Sequence, residues 1–158
     1  MIIRAITPMP QSLALLYVHF IFSTKERVPL IDCQLQPRLF EYMGGILEAE
    51  DSVLVAAGGM PDHVHLLVSM GRESSAAGLM RLVKTNTSLW IHGDFPHLSA
   101  FAWQVGYGAF SVSASRVHTV KQYIDNQSEH HKTIPFQDEY RAFLRRHGIG
   151  FDERYLWD

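Results

Sequence analysis

The segment Met60-Pro61-Asp62-His63-Val64-His65-Leu66-Leu67-Val68 places two histidines two residues apart in a run that is otherwise typical of a buried strand. Successive side chains of a strand point to opposite faces, so His63 and His65 are predicted to project from one face and Val64 from the other. Two neighbouring imidazoles can bind a metal ion. A His-x-His pattern alone carries a high false-positive risk, so its meaning depends on what else the fold places beside it.

The segments around this strand predict the order β-α-β-β-α-β followed by two C-terminal helices. Gly58-Gly59 is expected to form a turn or bulge before the His-x-His strand. The first six elements match the ferredoxin-like split βαβ unit, in which helices cover one face of an antiparallel sheet. We therefore expect an α+β, ferredoxin-like fold. The predicted strands are 13–22, 53–57, 63–70 and 103–112, and the predicted helices are 34–50, 75–91, 116–130 and 136–147.

The composition predicts one ordinary globular domain over residues 1–158, with residues 1–11 as a loose N-terminal leader. Of the 158 residues, 47% are hydrophobic and 19% are charged, and the net charge of −2 argues against a DNA-binding protein that relies on overall positive charge. Cys33 is the only cysteine, which excludes an internal disulfide and a cysteine-based zinc site. We expect a cytoplasmic protein without a membrane-spanning segment, because no apolar run is long enough to cross a bilayer.

The predicted helix 116–130 offers a second group of polar side chains. Val117, Val120 and Ile124 form its apolar stripe, while Tyr123 and Gln127 are four residues apart and share a face at the border of that stripe. Alone, a tyrosine in this position is typical of the edge of a core and a glutamine is typical of a solvated surface. Together with an imidazole pair elsewhere in the chain, they favour a functional site.

Several segments in this order resemble the single-tyrosine, HUH-type transposases of small bacterial insertion sequences and their REP-associated relatives, where HUH denotes His-hydrophobe-His. The resemblance covers about residues 13–158. Besides His63-Val64-His65, it rests on Val18-His19-Phe20-Ile21-Phe22-Ser23-Thr24-Lys25, Met60-Pro61-Asp62, Trp103-Gln104-Val105-Gly106-Tyr107-Gly108-Ala109-Phe110-Ser111-Val112-Ser113, Tyr123-Ile124-Asp125-Asn126-Gln127 and Glu129-His130-His131.

The resemblance implies a transposase that cleaves and rejoins single-stranded DNA beside a hairpin through a covalent 5′-phosphotyrosine intermediate. Tyr123 would be the nucleophile, and His63, His65 and Gln127 would bind one divalent cation, Mg²⁺ or Mn²⁺, with no small-molecule cofactor. A cation lowers the charge barrier to attack on a phosphodiester and stabilises the leaving oxygen. Two imidazoles and one amide would be a neutral ligand set. The resemblance implies a homodimer, since relatives commonly work as dimers in which the tyrosine helix of one subunit completes the histidine site of the other, whereas REP-associated members can act as monomers.

The sequence is less informative about DNA contacts and about other polar residues near the motifs. Asp62 could orient a histidine or could serve only in the turn after Pro61, and His130 receives no role. His19 is interpreted as a satisfied core histidine. The basic residues that could contact phosphates are Lys25, Arg27, Arg81, Lys84, Arg116 and Lys121.

Three alternative functions stay open or are disfavoured by particular residues. A histidine-triad nucleotidyl hydrolase needs a further histidine where Leu67 stands, which argues against that class. A replication initiator or relaxase often carries its tyrosine in a longer chain with additional domains. A domesticated or inactive DNA-binding relative is the third alternative, and the presence of His63, His65, Tyr123 and Gln127 argues against a loss of activity.

Overall fold

The computed structural model describes residues 12–130, 134–154 and 156, apart from the side chain of His130. The predicted leader, residues 1–11, lies outside the described residues. The strands are β1 (Leu16–Ser23), β2 (Val53–Met60), β3 (His63–Met70) and β4 (Gly108–Val112). The helices are α1 (Leu35–Ala49), α2 (Ala76–Asp94), α3 (Val117–Asp125), α4 (Gln127–His130) and α5 (Phe136–Arg146).

The four strands form one antiparallel sheet in the order β2-β3-β1-β4. β3, which carries His63 and His65, is an inner strand that pairs with β1 on one side and with β2 on the other. This arrangement confirms the predicted α+β, ferredoxin-like architecture with its antiparallel sheet. Because both neighbours of β3 complete its backbone hydrogen bonds, the two histidines project from a rigid surface.

Strand alternation divides the interior into two layers. Val64, Leu66 and Val68 of β3 face the main core beneath α1 and α2. His63, His65 and Leu67 take the alternate positions, and Leu67 packs with Ile124 of α3 on the opposite face. The C-terminal helices therefore cover the sheet face from which both histidines project.

Glycine at position 58 lets α3 approach the sheet closely. Gly58 and Gly59 lie inside β2, so the predicted turn at these two residues is wrong. A Cβ atom on Gly58 would lie 2.2 Å from the backbone oxygen of Ile124, a distance no side chain could accept. The absence of a side chain at Gly58 thus permits helix α3 to pack against β2.

Two further boundaries differ from the prediction. β4 begins at Gly108, and Trp103 contributes only an isolated bridge to Thr24. The predicted helix 116–130 is divided at Asn126 into α3 and α4. Among the described residues, no helix is long and apolar enough to cross a membrane.

We predict that Gly58→Ala destabilises the protein, because the new methyl group forces α3 away from β2. Overpacking of this kind costs about 1–3 kcal/mol. Gly45 lies in α1 with nothing within 4 Å of a Cβ atom, so Gly45→Ala is a matched control that should raise stability by about 0.5–1 kcal/mol. Urea unfolding of the two variants measures both effects. Equal stability of Gly58→Ala and the parent protein would contradict the close approach of α3.

Candidate metal centre and tyrosine site

The histidine pair lies at the centre of a buried polar cluster. His63 and His65 are both 0% exposed, Gln127 is 1% exposed and Glu139 is 3% exposed. The ring of Phe136 stacks on the His63 imidazole with centroids 4.1 Å apart. Buried polar groups require partners, so the contacts within this cluster decide what it can do.

Glu139 of α5 joins the two halves of the cluster. Its Oε1 lies 2.7 Å from Nε2 of His65 and 4.0 Å from Nε2 of His63. Its Oε2 accepts a hydrogen bond from the hydroxyl of Tyr123. One carboxylate therefore contacts both the histidine pair and the tyrosine of α3.

His63, His65 and Glu139 form a group that could hold a metal ion, since one ligand atom from each lies within 4.8 Å of the others. Oε1 of Gln127 is 3.4 Å from Nε2 of His63 and extends the same group. An ion about 2.1 Å from each ligand requires ligand atoms on the order of 3–4 Å apart. Oε1 of Glu139 lies 4.0 Å from Nε2 of His63, at the edge of that range, and 2.7 Å from Nε2 of His65, so an ion would enter once Glu139 and His65 move slightly apart.

The hydrogen bond of His63 to Asp62 supports this interpretation. Nδ1 of His63 lies 2.7 Å from Oδ1 of Asp62, so a neutral His63 donates there and keeps its lone pair on Nε2. That lone pair faces the oxygens of Gln127 and Glu139, and three electron-rich atoms converge on one point. A cation between these three atoms would be bound by their lone pairs.

His65 is held from its other side by His19 of β1. Nε2 of His19 lies 2.8 Å from Nδ1 of His65, and both side chains are buried. Burial, reinforced by His65, lowers the pKa of His19 to about 3, so its imidazole is neutral at physiological pH. The prediction of a satisfied core histidine fits the burial of His19 but does not identify its partner.

Tyr123 is held as a neutral phenol in this arrangement. Burial raises the pKa of Tyr123 above its usual range, and the hydrogen bond to the Glu139 carboxylate adds to this effect. Gln127 opposes the shift in part. The hydroxyl is therefore a hydrogen-bond donor in the described state.

The structure brings together most of the residues singled out in the sequence and adds Glu139. Tyr123 and Gln127 lie beside His63 and His65 of their own chain, with Asp62 bonded to His63 as well as lying in the turn. Glu139 was missed, and it supplies a charged oxygen that the expected neutral ligand set lacks. The spacing of Glu139 is the feature of the sequence that could have identified it. Glu139 follows Phe136 by three residues and precedes Phe143 by four, which places it on the apolar face of α5.

The six basic residues considered for DNA binding do not form one surface. Lys25 lies near the histidines, because the backbone N–H of its neighbour Thr24 donates to the carbonyl oxygen of Asp62. Arg27 lies in the same short helical turn as Lys25. Arg81 borders a groove with Met70, at the other end of β3 from His63. Arg116 and Lys121 are exposed around and on α3, and Lys121 pairs with Asp125 at 3.2 Å.

The ammonium group of Lys84 contacts backbone carbonyl oxygens of the loop before β4. Nζ donates to the carbonyl oxygens of Gln104, Val105 and Gly106 at 2.9, 3.3 and 2.5 Å. Burial lowers the pKa of Lys84 to about 8. These contacts show that Lys84 fixes the loop before β4, and its contact with DNA phosphates stays a prediction.

Comparison with known proteins identifies relatives of this arrangement. Residues 12–127 match the model of the family described as IS200-like transposase, a range that includes His63, His65, Tyr123 and Gln127 but ends before Glu139. No curated protein matches the chain.

Two solved structures share the fold. A structure described as a candidate transposase from Deinococcus radiodurans R1 has 25% sequence identity and a TM-score of 0.63, and the match covers 77% of this chain and 98% of that one. A REP-associated tyrosine transposase, solved bound to a REP hairpin, has 14% sequence identity and a TM-score of 0.58, and the match covers 82% of this chain and 76% of that one.

Proposed function

Because this chain belongs to the IS200-like transposase family, we propose that it cleaves and rejoins single-stranded DNA through Tyr123. A divalent cation held by His63, His65, Glu139 and Gln127 would assist the reaction. The observation that carries this proposal is the Glu139 carboxylate, which contacts the tyrosine hydroxyl and the histidine pair at once. A nucleophile and a metal centre that share one residue are suitably placed to act on the same phosphate.

The chemistry follows from what a phosphodiester requires. The Tyr123 oxygen would form a bond to phosphorus while the bond from phosphorus to the 3′ oxygen breaks, so the phosphate stays attached to the protein and can be passed to a new 3′ hydroxyl. A bound divalent cation supplies charge neutralisation and orientation of the phosphate. Oε2 of Glu139 accepts the hydrogen bond of the Tyr123 hydroxyl and would take its proton when the oxygen attacks. Asp62 orients the ring of His63, and His19 orients the ring of His65.

The ligand atoms favour Mg²⁺ or Mn²⁺ for this role. The carboxylate of Glu139 and the amide oxygen of Gln127 are hard ligands of the kind these ions prefer, and the two imidazoles are better suited to Mn²⁺ than to Mg²⁺. With Glu139 included, the ligand set carries a negative charge. We therefore propose Mg²⁺ or Mn²⁺, with Mn²⁺ bound more tightly.

The substrate has to reach atoms that are buried in this state. Phe136 stacks on His63 and Glu139 lies against His65, so α5 covers the metal centre. A DNA phosphate can contact the centre only when these side chains, or α5 itself, shift. We propose that single-stranded DNA beside a hairpin enters along the end of the sheet where Lys25 and Arg27 lie.

The assembly state is a separate matter. The homodimer implied by the resemblance stays a prediction. The described chain contains a histidine pair and a tyrosine in one site, so we propose that each subunit carries a complete centre and that a dimer would not need to exchange its α3 helices.

We predict that purified protein with Mn²⁺ forms a covalent adduct with a 3′-labelled hairpin oligonucleotide, and that Tyr123→Phe abolishes it while DNA binding persists. Phenylalanine keeps the ring but removes the attacking oxygen. Tyr42→Phe, on the exposed surface of α1, is the matched control and should form the adduct normally. A denaturing gel detects the attached label. An adduct that persists in Tyr123→Phe would reject Tyr123 as the nucleophile.

We also predict that Glu139→Gln and His63→Ala each weaken Mn²⁺ binding by at least about tenfold, because each removes a ligand atom or its charge. Glu41→Gln, on the exposed face of α1, should bind Mn²⁺ like the parent protein. Titration calorimetry without DNA measures these affinities. Unchanged affinity in both site variants would show that the ion binds elsewhere.

A further inference from the structure

We propose that His19 is a positioning residue that permits His65 to change which ring nitrogen carries its proton when a cation binds. The inference rests on the proposed metal centre and concerns a residue outside its ligand set. Its basis is an unbroken chain of buried contacts that runs from His19 through His65 and Glu139 to Tyr123. His19 is at one end of this chain of hydrogen bonds, and its ring also contacts that of Tyr123 edge-on, with centroids 6.4 Å apart.

The direction of each hydrogen bond in the cation-free state follows from the carboxylate. An ionised Glu139 only accepts hydrogen bonds, so Nε2 of His65, 2.7 Å away, must donate to it. A neutral His65 then carries a lone pair on Nδ1. Nε2 of His19 lies 2.8 Å from that atom and must therefore donate its own proton.

Cation binding reverses the direction of the hydrogen bond between His19 and His65. An imidazole binds a metal ion through a lone pair, so Nε2 of His65 must give up its proton to become a ligand. The proton from Nε2 of His65 passes to solvent, Nδ1 of His65 takes up the proton that Nε2 of His19 had donated, and Nδ1 of His19 takes up a proton from solvent, so both rings stay neutral. Nε2 of His19 then accepts a hydrogen bond where it previously donated one. A buried Nδ1–H without an acceptor would cost free energy, so the change at His65 requires a partner that can both donate and accept.

His63 and His65 differ in whether the partner of their Nδ1 atom can both donate and accept a hydrogen bond. His63 contacts Asp62, whose ionised carboxylate accepts in both states and fixes the lone pair of His63 on Nε2. His65 contacts an imidazole, which has one donor and one acceptor and can exchange them. Nε2 of His63 thus carries a lone pair for a cation in both states. Nε2 of His65 instead donates to Glu139 without a cation and binds the cation when it is present. Glu139 also accepts a hydrogen bond from Tyr123.

Two substitutions at position 19 separate this role from simple packing. His19→Phe keeps a ring of similar size but leaves Nδ1 of His65 without a polar partner, and we expect Mn²⁺ affinity measured without DNA to fall by about 10–100-fold. His19→Gln places an amide near the position of Nε2 and can offer either its oxygen or its nitrogen, so it should bind within about threefold of the parent protein. Thermal unfolding without cation reports whether each variant is folded.

Nuclear magnetic resonance of the parent protein tests the proton positions directly. In protein labelled with ¹⁵N histidine, His65 should carry its proton on Nε2 without cation and on Nδ1 with saturating Mg²⁺, and the protonated nitrogen of His19 should change from Nε2 to Nδ1. His19→Gln assigns the His19 signals. This measurement decides the proposal even where His19→Phe fails to fold.

The outcomes separate the inference from the proposed function. Failure of the parent protein to bind Mg²⁺ or Mn²⁺ would overturn both the metal centre and the role of His19. Tight binding by the parent protein with equal affinity in folded His19→Phe, or with unchanged protonation of His19 and His65, would overturn the role of His19 alone. Loss of affinity in His19→Phe together with its retention in His19→Gln supports the proposal.

Discussion

The buried carboxylate of Glu139 is the interaction on which the rest of the site depends. Removing a carboxylate from water costs several kcal/mol unless donors replace the lost solvent. Here Tyr123 and His65 supply those donors, one to each oxygen. The same bonds place α5 over the sheet and hold the α3 tyrosine beside the histidine pair. A single electrostatic requirement therefore connects three segments that are far apart in the chain.

The sheet provides the fixed reference for these contacts. β3 is paired on both sides, so the alternation that sends Val64 into the main core necessarily sends His63 and His65 to the opposite face. α3 lies close to this face because Gly58 has no side chain to oppose the backbone of Ile124. Rigid strands and a close helix fix the distances that a metal centre requires.

Local periodicity predicted the parts of this structure that depend on neighbouring residues. The shared face of His63 and His65 follows from a period of two, and the shared border of Tyr123 and Gln127 follows from a spacing of four. Glu139 could not be assigned in this way, because a spacing argument places it on the apolar face of α5 without indicating which element that face covers.

The contacts of Lys84 could not be predicted for the same physical reason as those of Glu139. Lys84 was named only as a basic residue that could contact phosphates, and a loop that is distant in sequence folds over its ammonium group. Gly58-Gly59 is a comparable case, since two glycines are typical of a turn and the approach of α3 is a long-range event. Tertiary contacts therefore decided the role of each of these residues.

Mixing two inactive variants tests most directly whether one chain contains the whole site. Tyr123→Phe keeps the histidines, and His63→Ala keeps the tyrosine, so co-expressed subunits could restore activity only if α3 of one served the metal centre of the other. The account predicts no covalent DNA adduct from the co-expressed pair, whereas co-expressed parent subunits form it. Adduct formation by the mixture, on the His63→Ala chain, would contradict a site built within one chain.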